Sequence, residues 1–214
     1  MRRDGKENML LIGGVIILIL SAAVVSYMVA SYQSSLKMKE VQIIYEYKIE
    51  NISTQAEKFG ENLSKALTYL DIARYNLERG RLNLDKSLFW MKEEEYREMN
   101  TSSSKAVYYF GRANAIFGKA RVYLIISKNF TVKNYEKILE YYINYTNSAL
   151  NLTKTGKLMS MCLNNASIYL LSGAADQADA ELQKFSALQN IYNEWDQEME
   201  NYLIKIKTFY GIRE

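Results

Sequence analysis

The chain has 214 residues, a net charge of +3, a single Cys, and neither His nor Pro. Lacking His, it has neither the commonest metal ligand nor the usual acid–base group near neutrality, and one Cys can neither staple a fold nor build a thiolate zinc site. These absences exclude most catalytic designs, so the expectation is a non-catalytic protein with no cofactor, no metal site and no small-molecule substrate.

Without Pro, and with only ten Gly, long helices joined by short polar loops are the expected architecture. Residues 1–8 are a short polar stub carrying Arg2, Arg3 and Lys6. Residues 9–30 then hold no charged side chain. As a helix this run reaches roughly 33 Å, enough for a bilayer core of about 30 Å. It is longer than the apolar region of a cleaved signal peptide, and it reads as an uncleaved single-pass signal anchor. Within it and just beyond, Ala22, Ser26, Ala30 and Ser34 recur every four residues, a small-residue stripe on which another membrane helix could pack closely.

Basic residues on the two sides of the run nearly balance, so they leave the orientation open. Asn-X-Ser/Thr acceptors speak more clearly. They occur at Asn51, Asn62, Asn100, Asn129, Asn144, Asn151 and Asn165, against about two expected by chance. The excess favours a bulk exposed outside the cell and N-glycosylated at Asn51, Asn62, Asn100, Asn129, Asn144 and Asn151. Asn165 lies in an apolar helix and is the weakest acceptor.

Residues 31–53 are expected to form a stalk helix, and residues 54–214 an antiparallel helical bundle of about five helices. Thr54, Gln55, Ala56 and Glu57 have the spacing of a capping box. Apolar residues then step by four and three through Phe59, Leu63, Ala66, Leu70, Ala73, Leu77, Leu84 and Met91, with Gly80 a candidate interruption. Tyr109, Ala113, Ile116, Ala120 and Tyr123 mark a second seam, flanked by Phe110, Phe117 and Leu124. Ile138, Tyr142, Tyr145, Ala149 and Leu152 mark a third, with Thr131 as its cap and Gly156 as its stop. Residues 158–175 read as a separate buried helix, and Leu188, Tyr192, Trp195, Met199, Tyr202, Ile206 and Phe209 as the last. Steps of four and three give the 3.5-residue period of a coiled-coil-like seam. Residues 100–104, 127–134, 153–157 and 172–173 are the expected turns.

Charge is uneven. Residues 105–157 carry +7 and residues 158–214 carry −4. A basic middle can attract a polyanion, or it can be neutralised internally by the acidic last helix. Arg112, Lys119, Arg121 and Lys128 read as spread around their helix, which favours internal neutralisation and argues against a nucleic-acid partner. The 18 Tyr against 7 Phe suit either half-buried seam positions or an aromatic recognition surface. Glu93, Glu94, Glu95 and Glu98 read as a solvated helix face, and Asp176, Asp179 and Glu181 as acids near a helix start. Cys162 reads as a buried core thiol.

The expected function is therefore that of an interaction or scaffold module of the cell envelope. Its partners would be the lipid bilayer and another membrane or envelope protein, or a second copy of itself. The alternative is a ligand-sensing ectodomain that signals through a membrane partner.

Overall fold

A computed structural model describes the backbone of residues 4–131 and 135–212, with side chains from Ser26 onward. Among the described residues the chain is all-α, with four helices: α1 (Asp4–Lys92), α2 (Tyr96–Lys128), α3 (Glu136–Leu171) and α4 (Ala175–Phe209). It divides into two compact units, residues 1–54 and 55–214.

In the first unit every described side chain, from Ser26 to Thr54, is exposed. They include Tyr32, Leu36, Met38, Val41, Ile43 and Tyr45. Among the described residues no helix is long and apolar enough to cross a membrane. The side chains of residues 9–25, most of the expected anchor, lie outside the described residues.

The second unit is a four-helix bundle, not a five-helix one. Its core takes Ala66, Leu70, Ala73 and Leu77 from α1 and Phe110, Ala113, Phe117, Ala120 and Leu124 from α2. From α3 come Leu139, Tyr145, Ala149, Leu152 and Leu163, and from α4 Ala178, Phe185, Met199 and Ile206. In α1 and α2 these positions recur at steps of four and three, and in α4 at multiples of seven, the spacing that keeps one narrow stripe facing the neighbouring helices. The α2 seam is rotated from the expected one. Phe110, Phe117 and Leu124 are fully buried, while Tyr109, Ile116 and Tyr123 sit half-buried at its edge.

Helix termini account for the change in helix number. Residues 153–157 do not form a turn, and Gly156 does not stop a helix: α3 runs straight through both and absorbs the helix expected at 158–175. Thr153 and Thr155 turn their hydroxyls back onto the carbonyls of Ala149 and Asn151, at 2.8 and 3.0 Å, and Ser160 does the same to Gly156 at 2.7 Å. Back-bonding of this kind lets hydroxyl residues sit inside a helix. Residues 100–104 likewise lie within α2 rather than in a turn. Neither the capping-box residues 54–57 nor Gly80 interrupts α1. Thr131 does not cap α3, whose N-cap is Tyr135 with no side-chain cap bond.

The true α1–α2 turn falls on the acidic run instead. Glu94 adopts φ 59°, and the Glu95 amide reaches back to the Trp90 carbonyl at 3.0 Å. Gly173 (φ 74°) and Gly211 (φ 68°) close α3 and α4 in the same way, through Ala174 N–H to Tyr169 at 2.8 Å and Ile212 N–H to Lys207 at 3.0 Å. All three are left-handed C-terminal closures in which a six-to-one bond satisfies a terminal carbonyl. Two of them use Gly, and one uses Glu.

Candidate functional site

Three surfaces concentrate chemistry in the second unit. The first is the face shared by α1 and α2. Their antiparallel register is fixed by Gly80 against Phe110 and by Tyr69 stacked on Tyr123, ring centroids 5.6 Å apart. Around that stack Lys119 stands over Tyr69 at 5.9 Å, and Lys65 over Tyr123 at 5.8 Å. Further along, Arg79 Nε donates to the Tyr75 hydroxyl at 3.2 Å, and Arg112 donates to the Tyr108 hydroxyl at 3.1 Å.

Lys105, Arg112 and Lys119 are seven residues apart, so they share one line along α2. Lys65, Arg79 and Lys86 share one line along α1. Arg121 and Lys128 lie on another line of α2, toward Asn147 and Glu140 of α3, so the basic residues of α2 occupy two sides of the helix.

Neutralisation by the last helix does not reach α2 directly, although α3, which carries Lys137, Lys154 and Lys157, packs against that helix. The bundle sets α3 between α2 and α4, and α2 meets α4 across the core, where the Phe110 and Tyr192 rings are 6.3 Å apart. Among the described residues α2 makes an ion pair with α3, Lys128 to Glu140 at 3.2 Å. The acidic helix gives Asp196 to Arg81 of α1, which also reaches Glu78 at 3.5 Å. Burial pushes the Tyr192 hydroxyl beside them up to about 12, with Arg81 pulling the other way.

The second surface is the α2–α3 seam, where side-chain amides tie the helices together. Asn114 donates to the Leu150 carbonyl at 2.8 Å and to the Thr153 hydroxyl at 2.9 Å. Asn100 donates to Ser167 at 2.9 Å, and Asn164 donates to Ser104 at 2.7 Å. The polar run expected to be a turn is thus glue between helices.

The third is a groove of about 500 Å³ between α3 and α4, lined by Leu158, Met161, Cys162, Ala187 and Leu188. Asn165 donates to Glu181 at 3.3 Å at its edge, and Lys184 pairs with Glu181 at 2.5 Å. That bond holds the Glu181 carboxyl below its usual range. Cys162 is buried, and its thiol is pushed up first by that burial and then by Glu181. A thiol kept protonated is a poor nucleophile. Among the described residues no group of three or more His, Cys, Asp or Glu is placed to hold a metal ion.

The acceptors scatter over both units. Asn51, Asn129 and Asn151 are exposed, while Asn62, Asn100 and Asn144 are half-buried. Asn62 donates to the Lys58 carbonyl at 2.7 Å. Asn144, Asn151 and Asn165 share one line of α3, on the side that meets α4. Of the small-residue stripe, Ser26, Ala30 and Ser34 are exposed, and the Ala22 side chain lies outside the described residues. No family model, curated protein or solved structure matches the chain.

Proposed function

We propose that this chain is a membrane-anchored, non-catalytic interaction module, displaying its helical bundle on the outer side of a bilayer to bind or scaffold another envelope protein. The observation that carries the reading is the uncharged run at residues 9–30, set within α1. Its length suits one bilayer crossing. The acceptor excess supports the outward orientation. The exposed apolar residues from Tyr32 to Ile52, beyond that run, support a partner, because apolar surface concentrated on one segment marks interaction or membrane contact. On this reading Ala22, Ser26, Ala30 and Ser34 are the small-residue face for a membrane helix.

The test is extraction and protease accessibility on intact cells. The expected result is a chain that resists alkaline extraction from membranes and whose bundle is digested from outside. A freely soluble chain, or a fully protected bundle, would overturn the reading.

A second reading, a ligand-sensing ectodomain coupled to a membrane partner, is favoured by the α3–α4 groove. Its volume falls in the range of small-molecule sites. A stoichiometric multi-span partner retained in mild detergent would select it over scaffolding.

A further inference from the structure

We propose that the face shared by α1 and α2 is a docking groove for an acidic, heptad-patterned helix of a partner protein. The proposal deepens the interaction-module reading by naming its surface and the chemistry of its partner.

The face is built from two columns. On α1, positions 65, 72, 79 and 86 carry Lys, Ile, Arg and Lys; on α2, positions 105, 112 and 119 carry Lys, Arg and Lys. The Gly80–Phe110 contact brings Arg79 level with Arg112 and Lys86 level with Lys105. Like charges therefore stand level with one another on the two helices. Lys65 has a carboxylate partner, Glu61. Among the described residues, Arg79, Lys86, Lys105, Arg112 and Lys119 have none within ion-pair distance. Neighbouring like charges are mutually destabilising, and a carboxylate ligand between them relieves the repulsion. Arg suits that role because its planar fork matches a carboxylate at two points.

Two features select a helix over other polyanions. The cations recur every seven residues, about 10.5 Å along the axis, which is the repeat any heptad-patterned helix would present. Apolar side chains lie among them, Ile72 in the α1 column and Ile116 half-buried on α2, with Leu82 exposed nearby. An amphipathic protein helix uses such contacts, whereas a polysaccharide or a phosphate backbone does not. The acceptors are placed compatibly. Between Lys65 and Tyr123 the one acceptor is Asn100, and its amide is turned to Ser167 of α3.

The test uses the full chain purified in neutral detergent. The probe is a synthetic helical peptide of about four heptads carrying Glu at two positions and Leu at one position per heptad. A matched peptide replaces Glu by Gln. The expected result is saturable binding of the Glu peptide that weakens with added salt and is at least about tenfold weaker for the Gln peptide. The same loss is expected in Arg79→Glu/Arg112→Glu and, with smaller structural risk, in Arg79→Gln/Arg112→Gln. Lys154→Glu on α3 should leave binding unchanged, and circular dichroism should show each variant folded. Absent binding, binding indifferent to the Arg79/Arg112 changes, or binding of heparin or phosphatidylglycerol vesicles in place of the peptide would each overturn the proposal. Binding is measured on the chain itself, so this result is independent of which side of a bilayer the bundle occupies.

Discussion

Phe110 of α2 lies with its ring directly against Gly156 of α3. A Cβ at position 156 would come within 2.8 Å of the ring, and one at Gly80 of α1 would come within 2.9 Å. The fully buried Phe110 side chain therefore occupies a slot floored by the bare backbone of two helices. Both glycines weaken their own helices, at about 1 kcal/mol each relative to Ala, and the packing they allow must outweigh that. Gly156→Ala is expected to destabilise by about 1–3 kcal/mol despite Ala's better helix propensity, because the ring cannot withdraw from a close-packed core. Chemical denaturation followed by circular dichroism measures it. Phe110→Leu should absorb much of the loss in the double variant, giving a clear coupling energy. A Gly156→Ala protein as stable as the parent would mean the slot is slack.

Glu94 and Gly173 perform the same backbone task with different residues. Each takes a left-handed conformation after a helix, where a Cβ is disfavoured and Gly is not. Glu94→Gly is thus expected to raise stability by about 0.5–1 kcal/mol, since the side chain is exposed and has no partner among the described residues. Gly173→Ala should lower it by a similar amount. Urea midpoints of the two variants test the pair, and shifts of the same sign in both would contradict the argument.

Much of the architecture could be read from the chain because the core obeys a simple period. Leu70, Ala73 and Leu77 fall where steps of four and three put them. What could not be read was polarity used inside helices. Ser103 looks like turn material until α3 lies beside it, and its hydroxyl then bonds the Asn100 carbonyl at 2.9 Å within α2. Gly156 looks like a helix stop until Phe110 fills the space. Conversely, the α1–α2 turn was hidden in Glu93, Glu94 and Glu95, residues with good helix propensity and no turn signature. In each case a tertiary contact or a backbone closure outweighed local preference. The surface suffered the same way. The line of Lys105, Arg112 and Lys119 was visible in the numbers, but which helix it would face was not.

Tyr192 provides a test of burial by pH. Its hydroxyl is buried beside Arg81, and burial raises its pKa from 10.0 to about 12. A pKa raised by folding means the native state holds its proton more tightly than the unfolded chain. The associated stability is present below pH 10 and is lost as pH climbs toward 12. At about 1.4 kcal/mol per unit, the loss is on the order of 2 kcal/mol. Tyr192→Phe is expected to change stability at pH 7 by no more than about 1 kcal/mol, since it removes one buried hydroxyl beside Arg81. Its stability should also fall less steeply than the parent's between pH 10 and 12. Denaturation curves across that interval compare the two slopes, and identical slopes would refute the assignment to Tyr192.

Asn100 and Asn151 should differ as glycan acceptors although both satisfy the same triplet. The Asn151 side chain is exposed on α3. The Asn100 amide is engaged by Ser167 of α3 at 2.9 Å, so a sugar there would part the two helices. If the chain is glycosylated, glycopeptide mass spectrometry of the mature protein is expected to find sugar on Asn151 and none on Asn100. Asn151→Gln should then remove one glycan with stability unchanged. Asn100→Ala should cost about 1 kcal/mol through the lost bond between helices, with no change in glycan mass. Sugar at Asn100 on a folded chain would show that the α2–α3 amide bridge is not essential to the bundle.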